Sequence, residues 1–129
     1  MSSFEEQRGL LQRFVGVLRT GALGELDVLL DEDFVDHDRA AGQPSGRVGM
    51  KWKLALFRAQ HPDARVVLES VEATEDGLVA TWSTTATGLG GAVGDATWRF
   101  QGRFVVGARI RACALVSRTR VSGEANSTG

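Results

Sequence analysis

The apolar residues of this chain change period once, at His61-Pro62-Asp63, and the change divides it into a helical half followed by a stranded half. Before the break, Ser3-Phe4-Glu5-Glu6 forms a capping-box pattern, and apolar residues recur at Phe4, Leu11, Phe14, Val15 and Leu18, the stripe of an amphipathic helix. Thr20-Gly21 ends it. A second, short helix is expected with Leu23, Leu26, Leu29 and Leu30 on its buried side, closed by Asp31-Glu32-Asp33. Phe34 to Asp38 then reads as extended, and Arg39 to Ser45, with Gly42 and Pro44, as a loop. Ser45 is placed to cap a third helix running to about Gln60, with Val48, Leu54, Leu56 and Phe57 inward.

From Ala64 onward the period is two. Arg65–Ala73, Leu78–Thr87, Ala96–Val106 and Arg109–Val121 read as strands, joined by Glu75-Asp76-Gly77, by a glycine-rich loop over Gly88–Gly94 and by Gly107-Ala108. Helices first and an antiparallel meander second imply an α+β fold: a curved antiparallel sheet packed against three N-terminal helices. The expected domain is residues 1–121, with 122–129 a flexible polar tail.

The 129 residues suffice for one domain with its own core, and a net charge of −1 speaks against a dedicated nucleic-acid binder. Cys113, the single cysteine, cannot form an internal disulfide, and no metal-ligand spacing is present. Glu5, Glu6 and Arg8 interrupt any leader-like stretch, and no apolar run reaches membrane-spanning length. The expectation is a cytoplasmic protein with no membrane or nucleic-acid partner and no cofactor.

Charge is unevenly distributed. Between Ala96 and Gly123 there are six arginines and no Asp, Glu or His. Proton-transfer chemistry is therefore sought upstream, at Asp36-His37-Asp38. His37 titrates near neutrality and suits an acid/base role, with Asp36 or Asp38 orienting its ring. Strand alternation, however, puts the two aspartates on one face and the histidine on the other. The plainer reading is a solvated acidic patch with a structural histidine. His61, at a helix end before proline, fits capping of that helix better than reaction.

Trp52, Trp82 and Trp98 could wall an apolar pocket together with Phe34 and Phe57, or simply fill a core. Thr84 belongs to a hydroxyl-rich strand in which either row could face inward. In the last strand, alternation sets Arg109, Arg111, Cys113, Leu115 and Ser117 against Ile110, Ala112, Ala114 and Val116, the smaller apolar set suiting the helix-packed face. An Arg111 or Arg118 turned inward could bind a carboxylate or enolate through its planar fork.

Four segments resemble the SnoaL-like polyketide cyclase family, within the nuclear-transport-factor-2-like cone folds. They are Leu26–Asp38 with its leucine-rich run into Asp-His-Asp, the Gly46–Phe57 helix, His61-Pro62-Asp63-Ala64-Arg65, and the Thr-rich Val79–Gly88 strand. The resemblance implies a cone-shaped sheet around a pocket. It also implies pairing of two copies through the sheet, and places His37 where related cones carry an acidic base. Two departures stand out. Thr87-Gly88 replaces the histidine near the end of the family's Thr-strand, and Ile110–Arg118 lacks the late aspartate that its aldol cyclases use. The implied function is acid/base chemistry (cyclisation, isomerisation, hydration or epoxide opening) on a hydrophobic polyketide-type metabolite. His37, Asp36 and Asp38 are the expected catalytic residues; Phe34, Trp52, Phe57, Trp82, Thr84, Trp98 and Arg111 are the expected contacts. The alternatives are a binding protein that kept the cone and lost its base, or an interaction module whose cone is filled.

Overall fold

The structure, a computed structural model, describes residues 3–123, with side chains described as far as residue 121. Helix α1 spans Phe4–Thr20, and its capping box is formed: the Glu6 N–H donates to Ser3 Oγ at 3.2 Å, and the Ser3 N–H donates to Glu6 Oε1 at 3.4 Å. Leu11, Phe14, Val15 and Val17 are buried, whereas Phe4, at the first position, remains on the surface. Gly21 ends the helix at φ 76°. Any side chain there would also strike Arg58, whose Nη1 donates to the Leu18 and Arg19 carbonyl oxygens at 2.8 Å each. One guanidinium thus satisfies carbonyls that the helix end leaves open and ties the first helix to the third.

The second helix is shorter than its leucine pattern suggests. A 3-10 turn over Leu23–Glu25 leads into α2, Leu26–Leu29, and Leu30 already begins strand β1, Leu30–Asp36. Leu26, Leu29 and Leu30 are fully buried, so the apolar pattern was sound, but the helix expected to close at Asp31-Glu32-Asp33 gives way to strand. The reason is tertiary: β1 pairs with the last strand, Leu30 opposite Ile110 and Asp36 opposite Cys113, and that ladder overrides local helix preference.

Helix α3, Gly46–Gln60, starts at Ser45, which has extended N-cap geometry but makes no side-chain cap bond. Its inward face is rotated from the expected one. Gly49, Met50 and Leu54 are buried, while Val48 is 66% and Leu56 41% exposed. Gly49 sets the rotation, because a Cβ at that position would overlap the Pro44 carbonyl oxygen, so only glycine lets the helix lie against its own entry loop.

Strands β2 (Arg65–Ala73), β3 (Leu78–Thr87), β4 (Asp95–Val106) and β5 (Ile110–Gly123) form the expected antiparallel meander, and the sheet order is β1-β5-β4-β3-β2. β1 adds to the β5 edge in parallel, so the sheet is mixed. β5 continues to Gly123; the rest of the tail expected over 122–129 lies outside the described residues. On β3 the even-numbered residues Leu78, Ala80, Thr84 and Ala86 are buried on the helix-packed face. Leu78 and Ala80 meet Leu11, Phe14 and Val17 of α1, Met50 and Leu54 of α3, and Phe104 and Ile110 of the sheet in one core, while Ala86 belongs to a second, smaller cluster.

The ladder between β4 and β5 slips three times, between Thr97 and Trp98, Gln101 and Gly102, and Val105 and Val106. On β5 the unpaired residues are Arg111, Val116 and Val121. Each bulge bends the sheet and resets which residues face inward. The single alternation expected for β5 therefore fails. Ile110 is buried, but the inward set then passes to Cys113 and Leu115, opposite Phe104 and Gly102, and next to Arg118 and Arg120, opposite Phe100 and Trp98.

Candidate functional site

Between α3 and the concave face of the sheet lies a cavity of about 250 Å³. Its walls are apolar. Phe14 and Leu18 come from α1, Met50, Leu54 and Phe57 from α3, and Trp82, Phe100, Gly102, Phe104 and Leu115 from the sheet. The α3 contributors, with Lys53 among them, recur at i, i+3, i+4 and i+7, so one helical face supplies them all. Trp82 stacks on Phe100 with centroids 5.7 Å apart and planes at 19°, giving the cavity a flat wall. Gly102 makes room for it, since a Cβ there would come within 2.9 Å of the Trp82 ring.

The polar groups gather at one end. Asp36, on the last residue of β1, is 4% exposed. Its Oδ2 accepts hydrogen bonds from Gln43 Nε2 and Lys53 Nζ, both at 2.9 Å, and its Oδ1 accepts from the Asp38 N–H at 2.9 Å. Gln43 is itself buried and fixed by the Ala40 N–H, which donates to its Oε1. Burial alone would push the Asp36 carboxyl up. The hydrogen bonds from Gln43, Lys53 and the Asp38 amide, together with the Lys53 charge, outweigh it and hold the carboxyl below its ordinary value. Asp36 is thus an anchor held in its ionised form, with both oxygens already engaged.

Asp38 differs. Its Oδ2 accepts a short hydrogen bond from the Leu115 N–H, while no hydrogen bond among the described residues engages Oδ1. Lys53 Nζ, bonded to Asp36 and to the Asp38 carbonyl oxygen at 2.9 Å, has a third N–H to offer. Cys113 Sγ lies 3.8 Å from Asp36 Oδ1; burial first, and the neighbouring Asp36 charge second, push its thiol up to about 12. It is a neutral thiol at physiological pH, not a nucleophile.

Of the residues singled out from sequence, Asp36, Asp38, Phe57, Trp82 and Thr84 line this cavity. His37 does not. It is exposed, and it borders a second groove with Phe34, Val35, Asp36, Arg39, Ser45 and Gly46. Phe34 is buried in the core beside that groove. Trp52 is 38% exposed on the outer side of α3, displaced by the helix rotation, and Arg111 is exposed at a bulge. Trp98 sits beyond the cavity in a small cluster with Ala86, Leu89 and Ala96, and Phe57 packs against the same cluster. His61 lies against Phe57, with ring centroids 5.3 Å apart and planes tilted by 46°.

Lys53 and Gln43 were not anticipated. A lysine between Met50, Leu54 and Phe57 on an apolar stripe is the sequence signal that would have found the first. For Gln43, inside a loop, no pattern exists. Among the described residues no group of three or more His, Cys, Asp or Glu side chains is placed to hold a metal ion, and no helix is long and apolar enough to cross a membrane.

Comparison with known proteins adds to this geometry. A family model described as SnoaL-like polyketide cyclase matches residues 9–114. A search of curated proteins finds no match. Among solved structures, one from Agrobacterium tumefaciens str. C58, described as a SnoaL-like polyketide cyclase, superposes with a TM-score of 0.71 at 19% identity, over 90% of this chain and 91% of that one. A protein from Bacillus cereus ATCC 10987, provisionally described as a polyketide cyclase, gives 0.69 at 23% identity, over 89% and 74%. AclR from Streptomyces galilaeus, provisionally described as a hydroxylase, gives 0.69 at 18% identity, over 88% and 79%. At these identities the likeness establishes the fold, an α+β nuclear-transport-factor-2-like arrangement of three helices and a curved, open five-stranded sheet.

Proposed function

The chain belongs to the SnoaL-like polyketide cyclase family, and from that premise we propose that it catalyses proton transfer on a hydrophobic, polyketide-type small molecule with its own acid/base groups. The observation that carries this reading is the pairing, at one end of an apolar cavity, of an open carboxylate oxygen on Asp38 with a lysine ammonium anchored by a buried carboxylate. Asp38 Oδ1 is the base. It removes a proton from carbon next to a carbonyl, and the free N–H of Lys53 stabilises the enolate oxygen that develops. Asp36 and Gln43 are positioning residues that fix the ammonium before the substrate arrives. The carboxylate absent from β5 is supplied by Asp38, two residues past the end of β1, where the Leu115 N–H holds it.

A flat aromatic probe of carboxylate-driven proton abstraction, 5-nitrobenzisoxazole, tests the reading. Asp38→Asn should lower the rate by about two to four powers of ten, while His37→Gln should leave it unchanged. Activity that survives Asp38→Asn, or collapses in His37→Gln, would overturn the assignment. The saturated bonding of Asp36 and the neutral Cys113 favour one competing reading, a binding protein without turnover. Tight binding of the probe with no rate above buffer would establish that reading instead.

A further inference from the structure

Resting on the reading of the cavity as a substrate pocket, we infer that the surface just beyond it, where Trp98, Arg118 and Arg120 share one face of β4 and β5, is a carboxylate subsite. The substrate is then an aromatic or polyketide acid and not a neutral ketone.

The bulge at Val116 turns these arginines inward, Arg118 opposite Phe100 and Arg120 opposite Trp98. The Arg118 guanidinium lies over the Trp98 ring, 5.9 Å from its centroid. Neither arginine has a carboxylate partner among the described residues, and the described acids at this end are engaged elsewhere. Glu69 pairs with Arg99, Asp63 accepts from the Thr87 N–H, and Asp95 lies within hydrogen-bond distance of the Thr87 hydroxyl.

Arg120 is the stronger observation. Its Nε and Nη2 are shielded from solvent and have no hydrogen-bond acceptor among the described residues, and the same holds for Trp98 Nε1. Nε and Nη2 share one edge of the guanidinium plane, so their N–H bonds run parallel, which is the geometry that grips both oxygens of a carboxylate. A buried charged donor left unpaired is strongly unfavourable, and an acceptor brought by a ligand removes that penalty.

The subsite adjoins the cavity. Phe100 lines the cavity and pairs with Arg118, and Phe57 lines the cavity and packs on the Trp98 cluster. Leu115 binds Asp38, and Arg118 lies three residues further along β5, which at about 3.3 Å per residue sets the two ends roughly 10 Å apart. A fused-ring acid spans that distance with its carboxylate at the arginines and its reacting carbon at Asp38.

Titration calorimetry of the full chain at pH 7 with anthracene-2-carboxylate and anthracene-2-carboxamide tests this, because the pair differs in charge and hardly in shape. The acid should bind at least about tenfold more tightly than the amide. Arg120→Gln should abolish that preference, and Arg118→Gln, at an exposed position, should reduce it even if the first variant fails to fold. Equal binding of both probes to the native chain would overturn the subsite and leave the pocket reading intact. Binding of neither would overturn both. A preference that survives both glutamine variants but disappears in Lys53→Met would place the carboxylate at the opposite end and also refute the inference.

Discussion

Lys53→Met keeps the aliphatic stem that lies along the cavity and removes the ammonium that bonds Asp36 and the Asp38 carbonyl. Asp36, with a side chain 1% exposed, then keeps its charge with only Gln43 and one amide to support it. A hydrogen bond to a charged group contributes about 1.5–3 kcal/mol. Lys53 is 33% exposed, so solvent screening places the loss near the lower end, about 2 kcal/mol at neutral pH. The sign with pH follows from the carboxyl. In the native chain it is held below its ordinary value, so its contribution is complete above the unfolded carboxyl pKa of about 4 and is lost as pH falls through the lower, folded one. Without Lys53, burial is less opposed and the carboxyl moves up. The variant's deficit is therefore largest near pH 7 and narrows on acidification, as the stranded carboxylate takes up a proton. Urea unfolding should show the midpoint lowered by roughly 1 M at pH 7.5, and by clearly less at pH 4.5. An equal displacement at both values, or none at either, would refute the claim that this ammonium holds Asp36 ionised.

Three further outcomes are expected. With its thiol pushed up to about 12, native Cys113 should react with iodoacetamide at pH 8 about a thousandfold more slowly than in the urea-unfolded chain; comparable rates would show an accessible thiolate. Gly49→Ala should destabilise the fold by at least about 2 kcal/mol, because the new Cβ meets backbone at Pro44, whereas Gly24→Ala has open space and should be near neutral in the same thermal scan. Val35, Val67 and Val105 are exposed on the outer face of the sheet, which motivates the hypothesis of a homodimer through that face; sedimentation showing only monomer at micromolar concentration would dispose of it.

The sequence carried the architecture because period is a local property. The break at His61-Pro62-Asp63, the capping box at Ser3 and the turns at Gly77 and Gly107 are all decided within a few residues. What it could not carry depends on partners distant in the chain. Leu30–Asp33 looks like the end of a helix until Ile110 pairs with Leu30. The face of α3 is set by Pro44 touching Gly49, which moved Trp52 outward and brought Lys53 in. For Asp36-His37-Asp38, alternation already separated the histidine from the aspartates. The chain at the end of β1 presents both carboxylates, and not the His37 ring, to the cavity.

The slips along β5 bear on how such a chain can be inherited. β3 runs against β4 in unbroken register from Leu78 to Thr87, so gaining or losing one residue there would exchange Thr84 for a neighbour and turn the pocket wall inside out. At Val116 the fold already holds one residue more than its partner strand, with Leu115 and Arg118 both correctly aimed on either side. Losing that residue would leave both orientations intact. A lineage can thus change length in the last strand without touching the acid/base end, and refashion the far rim of the pocket independently of the chemistry.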